Sequence, residues 1–468
     1  MKNATSHQAV NYNMLYVYFI CLVAALGGLM FGFDLGIITG VIPYIEHQFS
    51  LSGFSLGLVV AIFELGAMAG ALSTARIADK YGRKKTLIVY ALMLTVTAVG
   101  VAFSSGAVFL AIWRFAQGIC VGAASVLAPM YIAEVSPAKV RGRLVSIYQL
   151  TIILGILLAS FCNFYFGDND LSSANWRYMF LSALVPSIVF LVLLFFIPES
   201  PRWLIIQSAK EEEANRILLK INNGNEVRSK KEILEIKNSI ANVNSRSRVE
   251  FKTLFGKAFL AIVLIGFGVA FLQQFCGINN VTPYMQKIFI MAGIQLKDGL
   301  LNAVFVQLVF FFATFIAIGL IDKIGRKILM LIGTGLMALT LFLLALAFYS
   351  DAKSGLYILI LVMIYIGTFG FTLGPVTWVL ISEMYPAEIR GRAIASTSAV
   401  LWFATFLVVL VSPYLLNIGP VFNFVIFGVL NVVGFFFCLK YLPETKGKTL
   451  EQMNEVWKKM NFTGNLSN

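Results

Sequence analysis

The sequence has few charged residues, few histidines and no motif for a metal ion, a phosphate group or a catalytic nucleophile. Charged residues make up 13% of the 468 positions and hydrophobic residues 59%, which excludes an ordinary soluble protein and is typical of a membrane protein. The two histidines, His7 and His47, have no partner motif, and the five cysteines show no CxxC spacing. We therefore expect no disulfide framework, no metal site, no cofactor and no enzymatic activity.

Apolar stretches long enough to cross a bilayer occur twelve times along the chain. The first is too long for a cleaved signal peptide, and an even number of spans places both termini on one side of the membrane. The sequence therefore predicts an all-α membrane protein with twelve transmembrane helices. The predicted spans lie near 15–42, 54–78, 86–105, 107–133, 143–166, 177–197, 258–291, 300–321, 328–349, 355–382, 393–416 and 420–441.

A charged interval separates the first six spans from the last six. Within it, Glu211–Lys220 and Lys230–Ser239 have the amphipathic pattern of short surface helices, and a solvated linker without helices is the alternative. We divide the chain into an N-terminal tail (1–14), a first six-helix bundle (15–197), a linker (198–257), a second six-helix bundle (258–441) and a C-terminal segment (442–468).

The positive charges are distributed unevenly between the two sides of the predicted membrane. The net charge of +13 could by itself indicate a nucleic-acid partner. With both termini in the cytoplasm, however, the basic residues outside the cytoplasmic segments are only Arg114, Arg177, Lys287, Lys297 and Lys353. The positive-inside rule therefore predicts a multi-pass protein of the cell membrane with cytoplasmic termini, and the basicity requires no nucleic acid.

Three short motifs occur once in each half, in the same order and at the ends of corresponding spans. This predicts two pseudo-symmetric six-helix bundles, an arrangement that supports alternating access around a site at the bilayer midplane. The pairs are DKYGRK at 79–84 with DKIGRK at 322–327, EVSPAKVRGR at 134–143 with EMYPAEIRGR at 383–392, and PES at 198–200 with PET at 443–445.

The motif set resembles that of the sugar porter branch of the major facilitator superfamily, and the resemblance covers nearly the whole chain. It implies two six-helix bundles joined by an intracellular helical domain, and transport of a sugar across the membrane. Besides the DxxGRK pair, the motifs that carry it are PESPRWL at 198–204, QQFCGIN at 273–279, GPVTW at 374–378 and PETKGKTLE at 443–451.

Asp34 is an acid within the first span, where a charge is costly unless it is paired or hydrated. Counting along the helices places Arg114 of the fourth span at the same depth. The two form either a static buried ion pair or a proton switch in which protonation of Asp34 releases Arg114. The resemblance favours the switch, because bacterial proton–sugar symporters carry this Asp and Arg whereas mammalian glucose facilitators lack the acid.

Two further positions bear on proton coupling. Glu64 of the second span is either a second proton site next to Asp34 or a hydrogen-bond acceptor within the bundle. In the sixth span, some symporters of the family carry a further acid where this chain has Ala183, which argues against coupling.

Amide side chains suit a sugar because each offers a donor and an acceptor to hydroxyl groups. Gln273 and Gln274 begin a spanning segment that Gly277 and Pro283 are expected to break, and broken helices mark binding sites in transporters. Bonding between helices is the alternative for any single amide. The resemblance assigns sugar contacts to Gln149, Gln273, Gln274, Asn279 and Trp378; Phe369 and Trp402 are further candidates for this site.

The chain departs from the family pattern at three places near this site. Phe310 stands where the eighth span of sugar porters commonly carries a polar residue, and Leu401 stands where the eleventh carries Asn or Gln. Thr282-Pro283 replaces the usual Phe/Leu-Tyr. Fewer amides mean fewer contacts with hydroxyl groups, which weakens the assignment to a hexose or pentose.

Charged residues of the repeated motifs form a third group of candidates. A solvated charged surface is the simpler interpretation, but the same pattern occurs in both halves, and the family uses it as a cytoplasmic latch that is closed when the site faces out. We predict this inner gate to consist of Asp79, Arg83, Glu134, Arg141, Arg202, Asp322, Arg326, Glu383 and Arg390.

We predict a secondary active transporter that imports a monosaccharide by proton symport and functions as a monomer, with sugar, protons and the lipid bilayer as its partners. One alternative is a proton-independent facilitator or a carrier of another polyol such as inositol, which the two missing amides favour. The other is a sugar sensor that does not transport. Sensors of this fold usually have a long signalling tail, and this chain ends soon after its last span.

Overall fold

The computed structural model describes residues 12–137, 140–206, 210–245, 254–256, 259–350, 355–386, 389–448, 452–453 and 457. His7 and Lys353 lie outside this set. Across the described ranges the chain forms helices and no strand, and twelve spans among them are long and apolar enough to cross a membrane. The predicted all-α class and the predicted number of spans are confirmed.

Seven helices form the first six spans, because the sixth span is interrupted. Pro186 has no backbone N–H and its ring crowds the carbonyl of Ser182, so the helix breaks at Ala183. The helices are α1 (Met14–Gln48), α2 (Gly53–Tyr81), α3 (Arg83–Ala102), α4 (Ala107–Val135), α5 (Arg141–Phe166), α6 (Asn175–Ser182) and α7 (Leu184–Leu194).

Three shorter helices follow: α8 (Pro201–Ile206), α9 (Glu211–Ile221) and α10 (Glu226–Ser245). α9 has three glutamates in its first turn and Lys220 in its last, which complements the helix dipole. Its apolar residues recur on one face and are buried. The two amphipathic helices predicted for the linker are therefore present, the second as part of the longer α10, while their cytoplasmic location stays a prediction.

The last six spans contain two further breaks, one in the seventh span after Phe275 and one in the tenth at Thr372. The helices are α11 (Leu260–Phe275), α12 (Ile278–Val281), α13 (Met285–Met291), α14 (Leu296–Ile324), α15 (Arg326–Tyr349), α16 (Gly355–Phe371), α17 (Leu373–Glu383), α18 (Arg390–Ile418) and α19 (Pro420–Tyr441).

Both halves make the same tight turn at the DxxGRK motif. Gly82 between α2 and α3 has a φ of +99°, and Gly325 between α14 and α15 has a φ of +103°, a backbone region that only glycine adopts without strain. We call the helix ends around these two turns the repeat face. The other ends of the spans, including the turn between Gln48 and Gly53, form the opposite face.

The two halves meet near the opposite face. Gly57 of α2 approaches α18 so closely that an added Cβ would lie 2.0 Å from the carbonyl oxygen of Leu410. Lys287 of α13 forms a 2.6 Å ion pair with Glu46 of α1. The contacts therefore close the molecule between its halves at this end.

Candidate functional site

Asp34 and Arg114 lie next to each other inside the first half. The Asp34 residue on α1 is 1% exposed and Arg114 on α4 is 2% exposed, and Asp34 Oδ1 lies 3.9 Å from Arg114 Nη1. This is an ion-pair distance but too long for a hydrogen bond. The predicted shared depth of the two charges is confirmed, and their function in proton coupling stays a prediction.

The pair is not locked by hydrogen bonds. Arg114 Nη1 donates instead to Oε1 of Gln117 at 3.0 Å, and the guanidinium lies over the ring of Phe63, 4.3 Å from its centroid. Asp34 Oδ2 and Arg114 Nε are buried and have no hydrogen-bond partner among the described residues. A pair of this kind is separated at lower cost than a bidentate, fully bonded one.

Glu64 on α2 lies in the same region. It follows Phe63 in sequence, is 5% exposed, and its Oε2 has no hydrogen-bond partner within the described ranges. α2 packs tightly on α4 next to Glu64, because a Cβ added to Gly118 would lie 2.1 Å from the carbonyl oxygen of Phe63. Three ionisable side chains from three helices therefore share one buried region of the first half.

The seventh span is broken as the sequence predicted. Gly277, between α11 and α12, has a φ of +95°, which favours glycine. The carbonyl of Cys276 points away from the helix and accepts hydrogen bonds from Tyr365 and Asn431, both at 2.8 Å. These bonds satisfy a backbone group that a bilayer could not, so the break is built into the protein interior.

Three predicted amides are joined at this break. Gln274 Nε2 donates to Gln273 Oε1 at 3.2 Å, and Asn279 Nδ2 donates to Gln274 Oε1 at 2.5 Å. Gln273 Nε2 donates to the carbonyl oxygen of Gly374 at 3.3 Å, where the GPVTW motif begins. One part of the prediction is wrong: Gln273 and Gln274 end α11 instead of beginning a segment, because the apolar helix extends back to Leu260.

Asn280, beside this chain of amides, has a different role. It exchanges two hydrogen bonds with Asn423 of α19, at 2.8 and 2.9 Å, and both side chains are fully buried. Because each amide both donates to and accepts from the other, this buried pair fixes the broken helix to α19.

The predicted aromatic residues lie at different places around the amides. Trp378, one turn after Gly374 on α17, is 42% exposed. Trp402 of α18 contacts Phe31 of α1, with ring centroids 5.8 Å apart, and this contact crosses between the halves. Trp402 therefore connects the amide-bearing half to the half that contains Asp34.

At two of the three places where the chain departs from the family pattern, the side chain makes apolar packing contacts. Phe310 lies 6.2 Å from Phe369, ring centroid to centroid, and a Cβ added to Gly370 would lie 2.7 Å from the Phe310 ring. Leu401 is 4% exposed within the core. The Phe369 ring thus contacts Phe310. At both positions, 310 and 401, the side chain makes packing contacts where an amide would make hydrogen bonds.

Gln149 is separate from the amides of the second half. It is half-buried on α5, and its amide makes no hydrogen bond to any described residue. A Cβ on Gly32 would lie 1.7 Å from the carbonyl oxygen of Ile152, so this turn of α5 packs beside Phe31. Gln149 therefore lies on the part of α5 near the contact of Phe31 with Trp402, and no described residue bonds its amide.

Gln307 is a buried amide that the sequence motifs did not indicate. This residue lies on α14, one turn before Phe310, is 2% exposed, and its Oε1 has no hydrogen-bond partner in the described part of the chain. The eighth span therefore does carry a buried amide, three residues from the position at which the family pattern predicts a polar side chain. A lone glutamine within an apolar run was the signal that could have identified it.

The closure at the opposite face was also missed, although the charge distribution contained a signal. Of the basic residues that violate the positive-inside pattern, Lys287 pairs with Glu46 across the halves. Lys297 donates to the carbonyl oxygen of Gly167 at 2.5 Å, again across the halves. Arg177 donates to a backbone carbonyl within the first half at 2.5 Å. Each of these three residues therefore has a structural partner, while Lys353 lies outside the described residues.

At the repeat face, the charges of the repeated motifs in the first half form a compact network around Arg83. Its guanidinium contacts Asp79 and Glu134, each at 3.0 Å. The carboxylate of Glu199 accepts hydrogen bonds from the backbone N–H groups of Arg83 and Lys84, at 2.9 and 3.1 Å. Glu199 thereby caps the start of α3.

The second half repeats this network around Arg326. Its guanidinium contacts Asp322 and Glu383, each at 3.0 Å, and Glu444 accepts from the Arg326 backbone N–H at 2.9 Å. These pairs join helices within a half. Six of the nine predicted gate residues therefore lie in two networks, one within each half, and their function as a gate or latch between the halves stays a prediction.

The other three predicted gate residues lie outside these networks. Arg141, Arg202 and Arg390 form no ion pair with a described residue. Gly142 and Gly391, which follow two of them, have no atom within 4 Å of an added Cβ. The start of α5 and the start of α18 are therefore open at the repeat face, in contrast to the opposite face.

Comparisons with known proteins agree with this architecture. The family model described as sugar (and other) transporter matches residues 20–457. The chain is 35% identical to the arabinose-proton symporter of Bacillus subtilis (strain 168), over 98% of this chain and 100% of that protein. It is 34% identical to the major myo-inositol transporter of the same organism, over 96% of each.

A third relative has solved structures. The chain is 36% identical to the D-xylose-proton symporter of Escherichia coli (strain K12), over 95% of this chain and 96% of that protein. The inward open conformation of the xylose transporter XylE from Escherichia coli matches with a TM-score of 0.82 and 35% identity, covering 94% of this chain and 100% of that one.

Proposed function

The chain belongs to the sugar transporter family, and we propose that it imports a monosaccharide together with protons by alternating access. The observation that carries this proposal is the buried pair of Asp34 and Arg114, 3.9 Å apart and without a mutual hydrogen bond. A carboxylate at that depth has a functional role by default, and a pair that can separate is suited to gaining and losing a proton.

Protonation would act on this pair through charge. When Asp34 takes up a proton, Arg114 loses its ion-pair partner, and the balance between conformations changes by the difference in interaction free energy. The guanidinium keeps its contacts with Gln117 and Phe63, so Arg114 remains held on α4. Protonation of Asp34 would therefore weaken the ion pair between α1 and α4, while Arg114 keeps its position.

We place the sugar at the amides of the second half. Gln273, Gln274 and Asn279 bond to one another and can exchange these bonds for bonds to hydroxyl groups. Trp378 offers an exposed ring one turn from Gly374, and Trp402 meets the first half at Phe31. Gln149 adds an amide from the first half that no described residue bonds. Sugar bound here would contact both halves, which alternating access requires.

We further propose that the repeat face lies in the cytoplasm of the cell and that the structure is open towards it. The positive-inside rule supports the orientation, and the closed contacts at the opposite face together with the similarity to an inward open structure support the state. The bundles 15–197 and 258–441 would then move against each other as units, as a monomer, with the linker 198–257 on the cytoplasmic side.

The test is uptake by the purified protein in proteoliposomes. A panel of labelled arabinose, xylose, glucose and myo-inositol is offered with and without an inward proton gradient. We expect one monosaccharide to accumulate inside only when the gradient is present. Equal inside and outside concentrations under both conditions would contradict proton coupling.

The same measurement separates the second candidate function, a proton-independent facilitator or polyol carrier. Phe310 and Leu401 favour it, because both fill with apolar packing a place where sugar porters carry a polar side chain. Saturable uptake of myo-inositol in preference to the aldoses, or uptake that does not depend on the proton gradient, would support that alternative.

A further inference from the structure

A cavity of about 510 Å³ lies at the repeat face of the first half. Its wall is built from the start of α1, the start of α3 and the helices α8 and α9. Tyr16, Ile88, Trp203 and Ile217 line it with apolar surface. The cavity is therefore apart from the buried charges and amides of the transport path.

The charged residues that line this cavity are mostly cationic. Glu213 forms a 4.0 Å pair with Lys210, and Glu199 is bound to the backbone N–H groups that begin α3. Both acids are thus already partnered. The basic side chains are Lys84, Lys85, Lys210, Arg216 and Lys220.

Three of these cations are available to a ligand. Lys84 Nζ donates to the carbonyl oxygen of Phe195 at 2.9 Å. Lys85, Arg216 and Lys220, by contrast, form no ion pair or hydrogen bond through their side chains with any residue in the described ranges. Unpaired cations that line one cavity can form a site for an anion with several acceptor oxygens, such as a phosphate group.

Exposed apolar side chains lie beside the cavity on α3 and at the end of α7. Val89 and Leu92 on α3 are 54% and 52% exposed, and Phe195 and Phe196 after α7 are 60% and 69% exposed. Lys84 links the two regions through its bond to Phe195. A free phosphate would gain nothing from this surface, whereas the acyl chains of a phospholipid would cover it.

The second half shows that the transport frame does not need this cluster. Lys327 Nζ donates to the carbonyl oxygen of Leu439 at 2.9 Å, in the way that Lys84 donates to Phe195. The next position, however, is Ile328, where the first half has Lys85. The basic cluster is therefore an addition to the first half.

We propose that this cavity binds the phosphate of an anionic phospholipid headgroup through Lys85, Arg216 and Lys220, with the acyl chains along α3 and α7. Basic pockets of this kind at the cytoplasmic end of transmembrane helices suit anionic headgroups. The bound lipid would join the first bundle to α8 and α9. The proposal concerns binding alone and does not rest on the identity of the transported sugar.

The test is native mass spectrometry of the full-length protein in a neutral detergent, without sugar. Phosphatidylglycerol, phosphatidylcholine and inorganic phosphate are titrated separately. The test variant carries Lys85→Gln, Arg216→Gln and Lys220→Gln. The matched control carries Lys230→Gln, Lys231→Gln and Lys237→Gln, which remove the same charge from exposed positions of α10 outside the cavity.

We expect the protein to bind phosphatidylglycerol more tightly than phosphatidylcholine, and the test variant to weaken that binding by at least about tenfold. The control is expected to change it by less than about twofold. The single variant Lys85→Ile, which copies the second half, should give an intermediate loss and guards against misfolding of the triple variant. Circular dichroism and size-exclusion profiles of every variant should match the parent.

Three outcomes would overturn the proposal. Unchanged phosphatidylglycerol binding in the test variant would exclude the cavity. An equal loss in the α10 control would show that surface charge in general attracts the lipid. Inorganic phosphate that binds as tightly as phosphatidylglycerol and displaces it would assign the cavity to a soluble anion.

Discussion

The two halves have the same charged frame at the repeat face but different polar groups in their middles. Arg83 and Arg326 make matching contacts with two acids each, all at 3.0 Å, and Glu199 and Glu444 cap the next helix in the same way. Between the helix ends, the first half buries Asp34, Glu64 and Arg114, whereas the second half buries a chain of amides.

This difference indicates a division of function on a duplicated scaffold. Buried ionisable groups respond to protons, and amides respond to hydroxyl groups. The networks around Arg83 and Arg326 hold each half together, so that each can move as a unit. The halves would then be coupled where they touch, at Trp402 with Phe31 and at the opposite face.

The largest expected effect comes from removing the charge of Asp34, a buried acid of the first half. Asp34→Asn keeps the size of the side chain but cannot carry or release a proton. With one proton per sugar, a gradient of one pH unit supports about tenfold accumulation. We expect the variant to reach equal concentrations on both sides, while it still exchanges labelled for unlabelled sugar, as measured in proteoliposomes.

Arg114 requires a control for this experiment. Its only ion-pair partner among the described residues is Asp34, and a buried cation without its anion costs several kcal/mol. The double variant Asp34→Asn with Arg114→Leu removes both charges and should restore expression but not accumulation. If Asp34→Asn still concentrates sugar in a pH-dependent manner, Asp34 is not the coupling acid.

The second prediction concerns the half that holds the amides. Gln274→Ala and Asn279→Ala should each weaken sugar binding by about 1–3 kcal/mol, the cost of leaving hydroxyl groups unpaired. Calorimetry measures the affinity. The control is Asn280→Ala, which breaks the pair with Asn423. It should lower the melting temperature and have little effect on the affinity for sugar. Unchanged affinity in both test variants would remove these amides from the site.

The sequence predicted the frame well because its signals are local. Span length, the repeated DxxGRK turn and the break at Gly277 each follow from a few neighbouring residues. The resemblance assigned Gln149, Gln273, Gln274 and Asn279 to one sugar site. The last three are joined because they lie within two turns of one chain segment, whereas Gln149 lies apart from them.

Contacts between distant segments could not be predicted in this way. The pairing of Asn280 with Asn423 and of Glu46 with Lys287 depends on how helices far apart in sequence pack together. Which conformation the protein adopts depends on a small free-energy difference between two arrangements of the same two halves. Gln307 was missed because a polar residue was expected three positions later.

The third prediction tests whether the repeated arginines link the halves in the other conformation. Arg141 and Arg390 have no ion-pair partner among described residues in a structure closed at the opposite face. If they pair across the halves when the repeat face closes, Arg141→Gln with Arg390→Gln should shift the population towards the present state by a few-fold, since surface pairs each contribute up to about 1 kcal/mol.

Labelling of single cysteines from each side of the membrane reports this shift. Arg143→Gln with Arg392→Gln is the matched control, because these residues lie two positions further along the same helices and point to a different side. A labelling pattern that is the same in both double variants and in the parent would mean that Arg141 and Arg390 act only as topology signals.

The smallest expected effect concerns Glu64, the second acid of the first half. Glu64 lies beside Phe63 and is buried, but it makes no ion pair with Arg114, whereas Asp34 does. Glu64→Gln keeps the size of the side chain and its capacity to accept a hydrogen bond. If Asp34 alone carries the proton, accumulation in proteoliposomes should change by less than about twofold, and the pH dependence of uptake should keep its midpoint. The same substitution in the Asp34→Asn background should have no effect on coupling, because that variant is already uncoupled. A displaced midpoint or a clear loss of accumulation in Glu64→Gln would mean that both acids share the proton, and the first half would then contain a two-acid site around Arg114 in place of a single switch.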